Sequence, residues 1–160
     1  MQERTYNPAY VSSLPVSKIV PPVYFTDKLR YILFKIYSPF FKFFRDLFLS
    51  LKILRHDFRQ DYLIGKIKPE KSIDDLLAHL ISGNFKNHFI AWIDEGEVAS
   101  LRFVRDFRHQ YHLRVFKDGE LRGHYEYTPE YKPISHLKEI DMTHGREIFL
   151  EILDGWIDEA

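Results

Sequence analysis

The chain contains no cysteine, only two methionines, and seven glycines in 160 residues. Without cysteine there is no thiol nucleophile, no thiolate zinc site and no disulfide framework. That absence suits a reducing compartment, so the expected location is cytoplasmic, or peripheral to a membrane. Long apolar runs are missing too. The greasiest stretch, from Leu29 to Leu54, is interrupted by Arg30, Lys35, Lys42, Arg45, Asp46 and Lys52. A spanning helix needs about 20 consecutive apolar residues, so no transmembrane segment is expected. A helix lying on a membrane surface stays open. Met1 to Val20 holds no apolar core of signal-peptide length behind a cationic start.

Several chemical signatures are also lacking. There is no G-x-G-x-x-G, no G-x-x-x-x-G-K-[ST], no G-x-S-x-G and no EF-hand loop. Gly83, Gly96, Gly119 and Gly155 fall at turn or cap positions, so glycine use follows backbone geometry rather than a phosphate-cradling loop. Five of the eight histidines (His109, His112, His124, His136 and His144) fall within 36 residues, yet none makes a short ligand motif such as H-E-x-x-H. No metal or other cofactor is therefore assigned. Alanine at His112 and His124 is expected to leave metal content unchanged.

Net charge is the last thing lacking, and here the total conceals a division. Residues 1–57 carry nine basic and four acidic side chains, whereas residues 58–160 carry 14 and 19, so a segment of +5 is joined to one of −5. Such asymmetry points to partners or to docking of one part on the other. Aromatic residues, at 16%, are plentiful. Residues 1–24, with Pro8, Pro15, Pro21 and Pro22, read as an extended arm. Residues 25–57 read as a basic, Phe-rich amphipathic segment with helix starts at Thr26-Asp27 and Ser38-Pro39. From Pro39 to His56, Phe40, Phe41, Phe43, Phe44, Leu47, Phe48, Leu51 and Leu54 share one broad face opposite Lys42, Arg45, Asp46, Lys52 and His56. Residues 58–160 read as an α+β domain packing with 25–57.

Within that domain, Lys66 to Lys71 reads as a linker. Ser72 caps a helix with Ile73, Leu76, Leu77, Leu80 and Ile81 as its stripe, ended by Gly83 in a left-handed conformation. After Phe89 the period becomes two. Asp94-Glu95-Gly96 and Lys117-Asp118-Gly119 each suit a three-residue hairpin loop. The expected sheet is a four-stranded antiparallel meander over 88–93, 97–104, 110–116 and 120–127, with a closing helix near Arg146–Leu153. N-terminal, middle and C-terminal helices are expected to cover one face of it.

The second hairpin fixes a register. A three-residue loop pairs Val115 with Leu121, Leu113 with Gly123 and Tyr111 with Tyr125, which gathers the apolar residues on one face. A two-residue loop would mix apolar and polar residues on both, and burial penalises that. In the favoured register His112 faces His124 and Arg114 faces Arg122, with Ser100 and Arg102 on the same side. Facing like charges are unfavourable, so the arginines want carboxylates, bound anions or open water, and this face is expected to be open.

Two candidate sites follow. Arg102, His112, Arg114, Arg122, His124 and Glu126 could recognise an anionic ligand such as a nucleotide or nucleic acid, through guanidinium donors. Histidine and Glu126 would also suit a weaker alternative, a His/Glu-dependent hydrolase. Nucleic acid is disfavoured because Tyr111 and Tyr125 point away from the arginines and the segment is net acidic. Phe40, Phe41, Phe44, Phe48, Lys42 and Arg45 form the second candidate, a contact surface for an unknown protein, a second copy or a membrane. The leading expectation is a small non-enzymatic binding or adaptor module using this basic aromatic surface.

Overall fold

The computed structural model describes residues 3–51, 63–90, 93–132 and 142–159. Lys52, Leu54, Arg55, His56 and His136 lie outside the described residues, as do the side chains of Arg45 and His144. The chain is α+β. Its elements are α1 (Pro8–Ser13), α2 (Phe25–Tyr37), a 3-10 turn (Ser38–Phe40), α3 (Phe41–Ser50), β1 (Leu63–Ile67), α4 (Ile73–Ser82), β2 (Lys86–Asn87), β3 (Glu97–Val104), β4 (His109–Phe116), β5 (Glu120–Tyr127), α5 (Met142–Ile152) and β6 (Ile157–Glu159).

Among the described residues one antiparallel sheet has six strands, in the order β2-β3-β4-β5-β1-β6, rather than the four expected. The centre matches the sequence reading pair by pair. Val115 faces Leu121, Arg114 Arg122, Leu113 Gly123, His112 His124 and Tyr111 Tyr125. Gly119 sits at φ +89°, which only glycine adopts freely, and its N–H donates to Phe116 O at 2.9 Å, closing the three-residue loop.

The edges differ. Of the strand expected over 88–93, the described residues 88–90 and 93 form none, and 91–92 lie outside the described residues. Only Lys86 and Asn87 pair with β3, opposite Arg102 and Leu101. The N-terminal arm occupies the other side of that short strand, since Asn87 N–H donates to Pro15 O and Ser17 N–H to Asn87 O, both at 2.9 Å. His88 N–H still donates to Ser100 O of β3 at 2.8 Å, after which the chain leaves the ladder and puts Phe89 beneath the Arg102 guanidinium, 4.5 Å from ring centre to Cζ. The turn at Asp94–Glu97 survives, with Gly96 at φ +78°, but Gly96 O accepts from Lys117 N–H of the neighbouring hairpin. On the far side, the expected linker contains the end of β1, and β6 pairs with β1 as the outermost strand.

The arm is not wholly extended. Asn7 caps α1 by accepting from Ala9 and Tyr10 N–H at 3.0 and 3.3 Å, with Pro8 at the first helical position, where its missing N–H is harmless. Arg4 ties the arm down by donating to the carbonyls of Ile67, Lys68 and Lys71 at 2.7–2.8 Å. At α4, Ser72 Oγ accepts from Asp75 N–H at 3.1 Å as expected. Its C-terminus shifts by one residue. Gly83 is at φ −78°, and Asn84, at φ 69°, takes the left-handed position. Phe85 N–H to Leu80 O and Asn84 N–H to Ile81 O complete a Schellman closure.

The apolar sheet face carries the core. Leu101, Leu113, Val115, Leu121, Tyr111 and Tyr125 pack with Leu76, Leu77 and Leu80 of α4, Phe149 of α5, Leu153 just beyond it, and Leu14 of the arm. Apolar burial of this kind stabilises by roughly 25 cal/mol per Å². Gly123 leaves room for Phe149, because a β-carbon there would lie 2.8 Å from Phe149 Cζ and 2.7 Å from Ile64 Cδ1. With α4 and α5 filling this face, α2 and α3 do not cover it. Instead α2 lies toward the other face, where Phe34 is buried edge-on to Phe89 and Asp27 pairs with Arg108 at 3.0 Å. Among the described residues no helix is long and apolar enough to cross a membrane.

Candidate functional site

The polar face of the central strands is arranged in rows across the ladder. Ser100, Arg114 and Arg122 form one row, Arg102, His112 and His124 the next, and Gln110 faces Glu126 in a third. All six anion-site candidates are therefore brought together. The face is closed rather than open, since Ser100, Arg102, Gln110, Arg114, His124 and Glu126 are buried. The reason is visible in the pairing, because each guanidinium holds a carboxylate supplied by the chain.

Arg102 has five N–H groups and meets five acceptors. Its Nε donates to Ser17 Oγ, Nη1 to Gln110 Oε1 at 3.0 Å and Glu130 Oε2 at 3.1 Å, and Nη2 to Glu130 Oε1 at 2.8 Å and Lys18 O at 3.1 Å. Arg114 makes a two-pronged pair with Glu97, with Nε to Oε1 at 2.9 Å, and Asp94 Oδ2 lies 2.8 Å from Nη1. Burial alone would lower the pKa of Arg114, but Glu97 and Asp94 outweigh it and hold the guanidinium above its ordinary value. Arg122 donates to Glu120 at 2.7 Å and lies over Phe116 with Cζ 4.6 Å from the ring centre. Of the three environments open to the facing arginines, carboxylates are the one realised.

The histidines converge on Glu126. His124 Nε2 lies 3.0 Å from Glu126 Oε2, His112 Nδ1 lies 3.5 Å from Oε1, and Gln110 Nε2 donates to Oε1 at 2.6 Å. Ser100 Oγ is 2.7 Å from His112 Nε2, and the His88 ring is 5.0 Å from that of His112. Burial drives the His112 pKa down to about 4, against the opposing pull of Glu126, so this imidazole is neutral at physiological pH. One ligand-capable atom from each of His112, His124 and Glu126 falls within 4.8 Å of the others. Sequence reasoning missed Glu97, Asp94, Gln110 and Glu130. Gln110 was legible from the register as the neighbour of Glu126, whereas Glu130 lies beyond the last strand, where no periodicity applies.

The second candidate surface divides in two. Phe41, Phe44 and Phe48 are half-buried, with Phe44 stacked on Tyr37 at 5.3 Å between ring centres, whereas Phe40 and Lys42 are exposed. The larger exposed surface begins earlier, in α2. Phe25, Leu29, Ile32, Leu33, Ile36, Phe40, Phe43, Leu47 and Leu51 are each between 39% and 85% exposed. Counted at about 100° per residue, the five in α2 fall within one arc of roughly 100°, and Phe43, Leu47 and Leu51 beyond the 3-10 turn fall within one arc of roughly 80°. Asp27, Tyr31 and Phe34, which hold α2 to the body, lie on the opposite side. Lys28, Lys35 and Lys42 are exposed along one border of the stripe. No family model matches the chain, and no curated protein or solved structure matches it either.

Proposed function

We propose that the protein is a non-enzymatic binding module that docks through the outward apolar stripe of α2 and α3 on an anionic membrane surface. The observation that carries this reading is the exposure of the stripe: nine large apolar side chains of α2, the 3-10 turn and α3 stay exposed, while α2 turns Asp27, Tyr31 and Phe34 to the body. Monomeric soluble proteins rarely present such continuous apolar surface without a partner for it. A lysine border beside aromatic and aliphatic side chains suits the boundary between lipid headgroups and acyl chains. The helical stretch from Phe25 to Leu51 would be about 40 Å long at 1.5 Å per residue, ample for an interfacial helix. Recognition of a soluble anion by the arginine face has less support, because Arg102, Arg114 and Arg122 already hold carboxylates.

The test is flotation of the intact chain with vesicles of zwitterionic lipid alone and with added phosphatidylserine. Binding is expected with the anionic vesicles, falling as salt rises. Phe43→Glu sits at an exposed position and should leave the fold intact. Each fully buried Phe contributes about 1.5–3 kcal/mol, so the variant should bind roughly tenfold or more weakly. Absence of vesicle binding, together with concentration-dependent self-association relieved by Phe43→Glu, would replace the lipid surface with a second copy.

A further inference from the structure

The chain has no short metal-ligand motif, but the hairpin register already sets two histidines and a glutamate, a ligand set that iron and zinc use, on one side of the sheet. His112 and His124 face each other on β4 and β5, and Glu126, two residues beyond His124, lies on the same side. We propose that His112 Nδ1, His124 Nε2 and the Glu126 carboxylate form a site for one divalent transition-metal ion. This goes beyond the docking role of α2 and α3 and does not depend on it.

The distances suit a shared cation. Ligand bonds of about 2.0–2.2 Å place neighbouring donors roughly 2.9–3.5 Å apart in tetrahedral or octahedral arrangements. The two histidine nitrogens stand 3.0 and 3.5 Å from Glu126 oxygens, and one donor atom from each of the three residues lies within 4.8 Å of the others, a spread that small imidazole rotations would close around an ion. The outer contacts are those a ligated site needs. Ser100 Oγ, 2.7 Å from His112 Nε2, can accept that N–H and leave the Nδ1 lone pair directed at the cluster. Gln110 holds Glu126 Oε1 by donating at 2.6 Å. Both histidines and the glutamate stand on paired strands, which fix geometry better than loops do.

Electrostatics permit a cation here although three arginines are near. Arg102 is paired with Glu130, Arg114 with Glu97 and Asp94, and Arg122 with Glu120, so the surrounding guanidinium charge is met locally. Two imidazoles and one carboxylate form a borderline nitrogen and oxygen set. It favours Zn(II), Co(II) or Fe(II) over the oxygen-seeking Ca(II) and Mg(II). Three protein ligands also leave coordination positions open for water or an exogenous donor.

The experiment is a titration of chelator-treated full-length chain with Co(II), followed by visible absorption, then competition with Zn(II). One equivalent should bind with the stronger absorption of a protein-bound, low-symmetry site, and Zn(II) should displace it. The unfolding temperature should rise with Zn(II) concentration. Glu126→Gln and His112→Ala should each weaken binding by tenfold or more. Ser100→Ala, removing only the contact to His112 Nε2, should weaken it roughly 10- to 100-fold. His109→Ala, at a partly exposed histidine paired with Asp106, should change nothing. If the Co(II) spectrum remains that of the aqueous ion, or if His109→Ala abolishes binding while Glu126→Gln does not, the site is overturned. The wild-type titration decides the matter even if a cluster variant fails to fold.

Discussion

Replacing Arg102 by alanine tests how the polar face is held. The side chain is 0% exposed and its partner Glu130 only 2%, so neither charge has water to fall back on. Removing one member of a buried pair generally destabilises by about 3–5 kcal/mol, because the remaining charge is left uncompensated. Here the loss also strips a donor from Ser17 Oγ, Gln110 Oε1 and Lys18 O, releasing the arm from β3. For a chain of this size, 1 kcal/mol corresponds to about 2–4 °C, so the unfolding temperature should fall by about 6–20 °C. Arg122 provides the contrast within the same face. Its pair with Glu120 is 23% and 28% exposed, and solvent screening limits such pairs to about 0–1 kcal/mol. Urea unfolding of the two alanine variants, with the slope unchanged, measures both. Replacing Arg102 and Glu130 together by methionine should recover much of the loss, since no bare charge remains. The reasoning fails if Arg102→Ala costs less than about 1 kcal/mol, or if Arg122→Ala costs as much.

Two further predictions concern the core and the titration of the cluster. Gly123→Ala would push a β-carbon to 2.8 Å from Phe149 and 2.7 Å from Ile64; overpacking of this kind costs about 1–3 kcal/mol, and a chemical-denaturation series including Phe149→Leu should show the loss partly relieved by the smaller side chain. In the metal-free chain, His112 is held neutral by burial, with its pKa lowered from 6.5 to about 4. The unfolded chain therefore takes up this proton first as pH falls, so the contribution is present above about pH 6.5 and is lost progressively toward pH 4, amounting to about 3 kcal/mol. A pH series of urea midpoints should show this slope diminished in His112→Asn, and an equal slope in that variant would contradict the assignment.

The centre of the sheet was legible in the sequence because alternation and turn chemistry agreed. The register that gathers Leu113, Val115 and Leu121 on one face also sets His112 opposite His124 and Arg114 opposite Arg122, and the fold keeps every one of those pairs. The edges were not legible, for local reasons. β1 carries a register shift between Leu63 and Gly65, so the buried Ile64 and Ile67 fall out of period two. β6 has three residues, too few to establish a period. The closure of the Arg/His face depended on contacts across the chain. Ser17 reaches Arg102 from 85 residues away and Glu130 from 28, and α2 covers this side by placing Phe34 against Phe89. Cross-strand rules supplied the demand for carboxylates, while tertiary packing selected which ones answered it. The apolar spacing of Leu29, Ile32, Leu33 and Ile36 behind Thr26-Asp27 was legible as a helix face, but its exposure was not, because that depends on α4 and α5 filling the sheet face. Leu29, Ile32, Leu33 and Ile36 in α2 extend the same surface toward the N-terminus.

The absence of cysteine makes the docking claim directly measurable, since any introduced thiol is the only one in the chain. Single cysteines at Leu29, Ile36 and Leu47 on the stripe, and at exposed Ser82 on α4 as control, can each carry an environment-sensitive fluorophore. With phosphatidylserine vesicles, the account predicts a blue-shifted, brightened signal at the three stripe positions and an unchanged signal at Ser82. Equal responses at all four positions, or none at the stripe, would contradict it.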